Sequence, residues 1–317
     1  MNHNKLIVDS DGGTDDALAL LLLIGHGRKP ELITTCFGNV NLAQATQNIL
    51  DTLAVCDAEV PVFTGAKDPL AGNRVDAEDV HGKDGLGGIE RPVQSRAIAR
   101  DGAVEAIIRL LRDEMEEGRK VDVLTLGPLT NLALALKKAP DVRSGIASLW
   151  VMGGSCRGRG NVTAAAEFNI YCDPEAARDV FSLPLNTHVV PWEPSLETAV
   201  EGAAIITAFS GLPDVPVVRF ARDICEHGRA LGRDWYDEDF CIMPDPLAAA
   251  YLLDSEISLR TIVAGLIVET GGENTRGATI VDYEDKVGLP AVGIVDQADG
   301  NRLSVLFAQA MRNLANA

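Results

Sequence analysis

Four carboxylates fall within eight residues near the start of the chain, in Leu6-Ile-Val-Asp9-Ser-Asp11-Gly-Gly-Thr-Asp15-Asp16. So many negative charges at one point repel one another unless a cation or bound protons intervene, and hard divalent cations take oxygen ligands of this kind. A purely local account is available for two of them. Acids in the first turn of a helix gain about 0.3–1 kcal/mol each from the helix dipole. That covers Asp15 and Asp16 and leaves Asp9 and Asp11 without a purpose, so a hard-metal site is expected here.

The elements that must hold this cluster are a strand and a helix. Residues 6–8 read as a buried strand, and Asp9 and Asp11 point to one side for as long as the strand conformation lasts. Gly12 and Gly13 allow a sharp turn. Thr14 is the expected N-cap, which places Asp15 and Asp16 in the first turn of an apolar helix over 17–24.

Further along, strands are expected at 31–37, 61–64, 121–126, 146–152, 187–190, 260–268, 278–283 and 293–295. Helices are expected at 41–55, 103–117, 129–138, 196–209, 214–230, 246–253 and 302–314. Residues 66–92 are rich in Gly and Asp with no clear period, and a loop of that length in a compact domain is usually functional or mobile. Strands alternating with helices predict an α/β fold, a mostly parallel central sheet flanked by helices in a Rossmann-like arrangement. No Pro- or Ser-rich linker divides the chain, so residues 1–317 are expected to form a single domain. Turns of Asp, Asn or Gly recur at strand ends, near 11, 39, 126, 154 and 169, and in open α/β sheets such ends converge on one crevice.

Composition narrows the class. The 317 residues suffice for a sizeable core, and the 46% hydrophobic fraction is ordinary. A net charge of −18 argues against nucleic acids and anionic membranes as partners, though not against an uncharged nucleoside. Six scattered cysteines form no Cys-x-x-Cys pair and read as reduced, buried thiols. The first apolar run is too short for a signal peptide or a membrane span, so a cytoplasmic protein is expected.

Three known motifs compete for the acidic opening. An EF-hand loop fails, because its twelfth position is Leu20 instead of Glu. A dehalogenase-type phosphatase would read Asp-x-Asp-x-Thr, but Gly13 stands at the Thr position. The third pattern, Asp-x-Asp-x-Gly-x-Asp-Asp-Ala, is that of the inosine–uridine-preferring nucleoside hydrolases, which the chain resembles from Asp9 to Ala17. Gly12 departs from it, since the family usually has Pro there. The resemblance continues through Gly38-Asn39-Val40, His81-Gly82, Leu126-Gly-Pro-Leu-Thr-Asn131, Met152-Gly-Gly154, Asn161-Val-Thr, Glu167-Phe168-Asn169 and Asp245-Pro-Leu-Ala248. It covers the chain from Asp9 to about Tyr251.

The resemblance implies a Ca2+-dependent enzyme that hydrolyses the N-glycosidic bond of ribonucleosides, usually as a homodimer or homotetramer. By position, Asp11, Asp16 and Asp245 would ligate the ion through carboxylates and Leu126 through its carbonyl. Asp15 would take the ribose 2′-hydroxyl, and Asn39, Asn161, Glu167 and Asn169 the other hydroxyls and the 5′ end. Met152 and Phe168 belong to the same substrate-binding stretches. Asp11 would be the general base.

One departure touches the chemistry. Many family members carry a His before the last Asp to protonate the leaving base, and this chain has Pro244, which has no proton to donate. His81, His227, Trp235 and Tyr236 are expected on loops covering the pocket, where a His could donate or an aromatic ring could stack on the base. The alternatives to a nucleoside hydrolase are a Mg2+-dependent dehalogenase-type phosphatase with Asp9 as nucleophile, and a ribose- or nucleoside-binding protein without catalysis.

Overall fold

A computed structural model describes residues 3–317 apart from 94 and 96. The first half runs β1 (Lys5–Ser10), α1 (Thr14–Gly25), β2 (Leu32–Thr35), α2 (Leu42–Val55), β3 (Val62–Thr64), α3 (Glu78–His81), β4 (Arg100–Asp101), α4 (Ala103–Glu116), β5 (Val121–Thr125), α5 (Thr130–Lys138) and β6 (Ile146–Met152). The second runs α6 (Phe168–Cys172), α7 (Pro174–Phe181), β7 (Thr187–Val190), α8 (Trp192–Glu197), β8 (Val200–Glu201), α9 (Gly202–Phe209), α10 (Pro216–Tyr236), β9 (Phe240–Cys241), α11 (Pro244–Leu253), β10 (Ser258–Val268), β11 (Thr279–Asp282), β12 (Ala291–Ala298) and α12 (Gly300–Ala315).

Ten strands form one sheet in the order β11-β10-β12-β7-β6-β5-β1-β2-β3-β4. From β12 to β4 every pairing is parallel, and β10 is antiparallel to both of its neighbours. The mostly parallel, helix-flanked sheet is therefore as expected. Parallel strands need crossovers, and the crossing helices cover both faces. Alternation along β1 shows the division. Leu6 and Val8 enter the core beneath α1, α2, α10, α11 and α12, while Ile7 enters the core beneath α4, α5 and α7.

Helix α1 is apolar on all sides, and Leu18 to Leu23 are at most 2% exposed. It lies between the sheet and helices α11 and α12, which explains why no polar face survives. The chain moves outward from β1 through β2, β3 and β4, then returns to place β5 on the other side of β1. The C-terminal end of β1 is thus a point where the strand order reverses, the usual place for a ligand crevice.

Several elements differ from expectation. Helix α1 begins at Thr14 with Gly13 as its cap, because the Asp16 carboxylate already accepts the Gly13 N–H at 2.8 Å. The helix expected over 196–209 is broken into α8, the short β8 and α9, with β8 pairing to β9. Helix α10 continues to Tyr236, six residues beyond the expected end, and stops at Asp237 in the left-handed region. The loop over 66–92 contains the one-turn helix α3. Among the described residues no helix is long and apolar enough to cross a membrane, and the six cysteines are free.

Candidate functional site

The turn from β1 into α1 is shaped by a glycine. Gly12 has φ +69°, and a Cβ there would meet the backbone of Ala45 at 2.6 Å. Proline, fixed near −65°, could not take this conformation. Strand β1 ends at Ser10, so the alternation expected to align Asp9 with Asp11 stops one residue early. Asp9 instead accepts Thr34 Oγ1 at 2.5 Å and Asn131 Nδ2 at 2.8 Å, is 1% exposed, and does not line the cavity. Thr34 and Asn131 thus hold Asp9 as part of the frame of the turn and not as the nucleophile of the phosphatase alternative.

Asp11 is enclosed by three strand ends. Its Oδ2 accepts the Asn39 N–H at 2.9 Å and its Oδ1 accepts Asn39 Nδ2 at 3.0 Å. A Cβ on Gly38 would come within 1.9 Å of the same carboxylate, so glycine is required after β2. Asp16 is oriented in a similar way, by Ser10 Oγ, the Gly13 N–H and, at 3.2 Å, Asn39 Nδ2. Asn39 therefore spends its donors on two carboxylates of the acidic turn.

Asp15, Asp16 and Asp245 each bring an oxygen within 4.8 Å of one another. Asp245 arrives from the first turn of α11, 229 residues beyond Asp16 in the chain. Buried oxygens of Asp15 (Oδ1) and Asp245 (Oδ2) have no hydrogen-bond partner. A buried polar group left unsatisfied costs about 1–3 kcal/mol, more when charged. Burial, reinforced by the neighbouring carboxylates, pushes Asp11 and Asp245 well above the usual carboxylate range. Burial likewise raises Asp15 to about 6 and Asp16 upward. Orphaned oxygens with raised affinity for positive charge fit a hard divalent cation. The Leu126 carbonyl, just past β5, accepts Asn169 Nδ2 at 2.9 Å, which ties that residue to the strand end.

Glu167 caps α6. Its Oε1 accepts the Asn169 N–H at 2.8 Å, and its Oε2 accepts the Gly154 and Ile170 N–H groups at 2.7 and 3.2 Å. Burial raises its pKa to about 7. Asn161 accepts the Phe168 N–H at 2.9 Å, which leaves its amide hydrogens as donors.

His81 ends α3, and its Nδ1 lies 3.2 Å from the Thr14 N–H, 2.8 Å from Thr14 Oγ1 and 3.8 Å from Asp15. A nitrogen that accepts a backbone N–H carries no proton, so the ring's hydrogen is on Nε2. Burial lowers its pKa to about 4, and the ring is neutral at pH 7.

These groups border a cavity of about 400 Å³. Asp15, Asn39, His81, Leu126, Met152, Asn161, Glu167, Phe168, Asn169, Trp235, Tyr236 and Asp245 all line it, and Asp11 and Asp16 lie behind Asn39 and Asp15. The opposite wall is a stripe of α10, Ile224, Gly228, Leu231, Gly232 and Trp235, spaced so that one helical face meets the cavity. His227, inside the helix expected over 214–230, and Trp235 and Tyr236, beyond its expected end, are thus all on α10 and not on covering loops. His227 pairs through Nε2 with the Val80 carbonyl at 2.8 Å and does not line the cavity. Asp76, Asp79, Arg159 and Trp192 also line it and were not anticipated from sequence. The helical spacing of 224, 228, 231 and 235 was the one available signal for the α10 wall.

The family model described as inosine-uridine preferring nucleoside hydrolase matches residues 6–305. The pyrimidine-specific ribonucleoside hydrolase RihA of Salmonella agona is 35% identical over 287 residues, covering 88% of each chain. An uncharacterized protein of Schizosaccharomyces pombe is 34% identical, covering 90% of this chain and 92% of its own. Among solved structures, a purine-preferring ribonucleoside hydrolase from Gardnerella vaginalis has a TM-score of 0.89 at 28% identity, covering 98% of this chain and 99% of its own. A plant nucleoside hydrolase has a TM-score of 0.88 at 27% identity with the same coverage.

Proposed function

Since the chain belongs to the inosine-uridine preferring nucleoside hydrolase family, hydrolases of the N-glycosidic bond, we propose that it is a Ca2+-dependent ribonucleoside hydrolase releasing a free base and ribose. The observation that carries the Ca2+ reading is Asp245, whose buried Oδ2 has no partner and which meets Asp16, beside Asp15, at the crevice next to β1. Asp11, Asp16 and Asp245 would hold the ion through carboxylates and Leu126 through its carbonyl. When bound, the ion would orient the sugar diol and make a nearby water more acidic.

The chain's own groups supply the rest. Asp15 accepts the ribose 2′-hydroxyl, and Asn39, Asn161, Glu167 and Asn169 fix the other hydroxyls. Asp11 takes a proton from water as the water oxygen bonds to C1′ and the C1′–N bond breaks. The sugar passes through a cationic, oxocarbenium-like state, which the carboxylate-rich floor stabilises. The base leaves with the bonding electron pair and must be stabilised in turn. Pro244 lines the cavity without a proton; His81, neutral with its hydrogen on Nε2, can stabilise the departing base by a hydrogen bond, and Trp235 and Tyr236 at the rim could stack on it. The same reading takes residues 1–317 as one domain, because one sheet draws strands from both halves of the chain.

A reducing-sugar assay with inosine, uridine and p-nitrophenyl riboside, run before and after chelation, tests the proposal. Ribose release that stops on chelation and returns with Ca2+ is expected. Full activity in metal-free protein overturns the Ca2+ dependence, and no release from any riboside overturns the activity.

A further inference from the structure

Between Gly153 and Val162 the chain forms neither helix nor strand, yet its amides are held one after another by distant side chains. The Gly154 N–H goes to Glu167 at 2.7 Å, and the Ser155 N–H to Thr279 Oγ1 at 2.7 Å. The next three bonds converge on Glu193. Its Oε2 accepts the Cys156 N–H at 2.9 Å, and its Oε1 accepts the Arg157 and Arg159 N–H groups at 2.8 and 3.2 Å. Glu193 follows β7 in the first turn of α8 and is 4% exposed. Among the described residues no basic side chain makes a salt bridge to it; the Arg157 guanidinium pairs with Glu197 and Asp296 instead. A buried carboxylate without a cation persists only if hydrogen bonds satisfy it, and here backbone amides do so.

The segment gathered in this way leads directly into Gly160, Asn161 and Val162, all of which line the cavity. Beyond them the Asn161, Val162 and Thr163 amides return to the Ala166 carbonyl at 3.1 to 3.4 Å. The lip is therefore clamped at two ends, by Glu193 on one side and by the Ala166 carbonyl on the other. We propose that Glu193 is a positioning residue that sets the 156–161 lip and, through it, the reach of Asn161 to the sugar. This rests on the reading of Asn161 as a ribose contact. Glu193 touches no substrate; it determines substrate binding because a displacement of the order of 1 Å in an orienting group can cost about 10²-fold.

The test is a double-mutant cycle on the Ca2+-loaded protein with Glu193→Gln and Asn161→Ala, read by kcat and KM on inosine and by amide exchange over 154–162. Glutamine keeps the volume but has one accepting oxygen, so at least one of the three amides loses its partner. Faster exchange confined to this segment and a fall in kcat/KM of roughly 10- to 100-fold, mainly through KM, are expected. In the Asn161→Ala background Glu193→Gln should then have almost no effect. Unchanged exchange overturns the proposal, as does a Glu193→Gln loss that persists undiminished without Asn161. Failure of the functional reading is distinct: the wild-type protein then hydrolyses no ribonucleoside, and the same cycle is read by calorimetry of ribose binding.

Discussion

The two ends of the cavity are built by different means. At the acidic floor, groups from β1, β2, β5, α6 and α11 meet, and most of their oxygens and amides are bound to one another at 2.7–3.2 Å. At the other end, one stripe of α10 presents apolar and glycine positions, with Trp235 54% exposed and Tyr236 36% exposed at the rim. A change at the floor disturbs several strand ends together, whereas a change on α10 alters one surface. Under the proposed function the floor carries the sugar chemistry, which demands fixed charges, and the α10 face meets the base, which a helix surface can vary without disturbing the floor.

The largest effect should come from Asp11→Asn, which removes the proposed base while the amide can still bond Asn39. A loss approaching 10⁴-fold in kcat, on natural nucleosides and on p-nitrophenyl riboside alike, is expected from steady-state assays. A loss of less than tenfold would move the base to another carboxylate of the floor.

His81→Ala probes the junction of the two ends. It should lower turnover of inosine and uridine by about 10- to 100-fold, through loss of a hydrogen bond to the departing base, and leave p-nitrophenyl riboside nearly unchanged, since p-nitrophenolate is stable without one. Equal losses on both kinds of substrate would make His81 part of the floor, acting through Thr14 and Asp15. Replacing the 2′-hydroxyl with hydrogen tests the floor alone. A 2′-deoxynucleoside leaves Asp15 without its partner and should lose roughly 10²-fold or more in kcat/KM. Trp235→Ala should act only at the rim, costing about tenfold or less on natural nucleosides, as befits a stacking contact worth about 0.5–1.5 kcal/mol.

Stability against pH is a separate readout of the floor, and its sign follows from burial. Asp15 and Glu167 have folded-state values raised to about 6 and about 7, above the 3.8 and 4.5 of the free side chains. Between those values the folded chelated protein binds more protons than the unfolded chain, so its stability falls as pH rises. Its Tm, followed by calorimetry, should decline from about pH 4 to about pH 7 and then level off. Added Ca2+ should raise Tm most at the upper end of that window, where the carboxylates are ionised. A chelated protein whose Tm climbs steadily over the same range would show that the floor is not desolvated.

Much of the floor was legible before any coordinates. The spacing of Asp11, Asp15 and Asp16, the Asn39 turn, the Glu167-Phe168-Asn169 stretch and the loss of a donor at Pro244 are local features. Strand and helix periods announced where strands end, and α/β sheets bring those ends together. Local pattern was a weaker guide to helix limits. The extension of α10 to Tyr236 depends on packing against β9, where Gly228 and Gly232 allow close approach to Cys241 and Phe240. That packing puts Trp235 and Tyr236 on a helix where a loop is expected.

By itself, then, the sequence determined the order of elements, the acidic turn and the absence of a donor at position 244, because these follow from neighbours in the chain. Only the tertiary structure decided which carboxylates gather, how Asn39 divides its donors between Asp11 and Asp16, and that Glu193 collects the amides of the 156–159 segment. Each of those outcomes joins groups 23 to 230 residues apart. Their partners are chosen by the geometry of strand ends and by the cost of burying a charge unpaired, neither of which is written in local spacing.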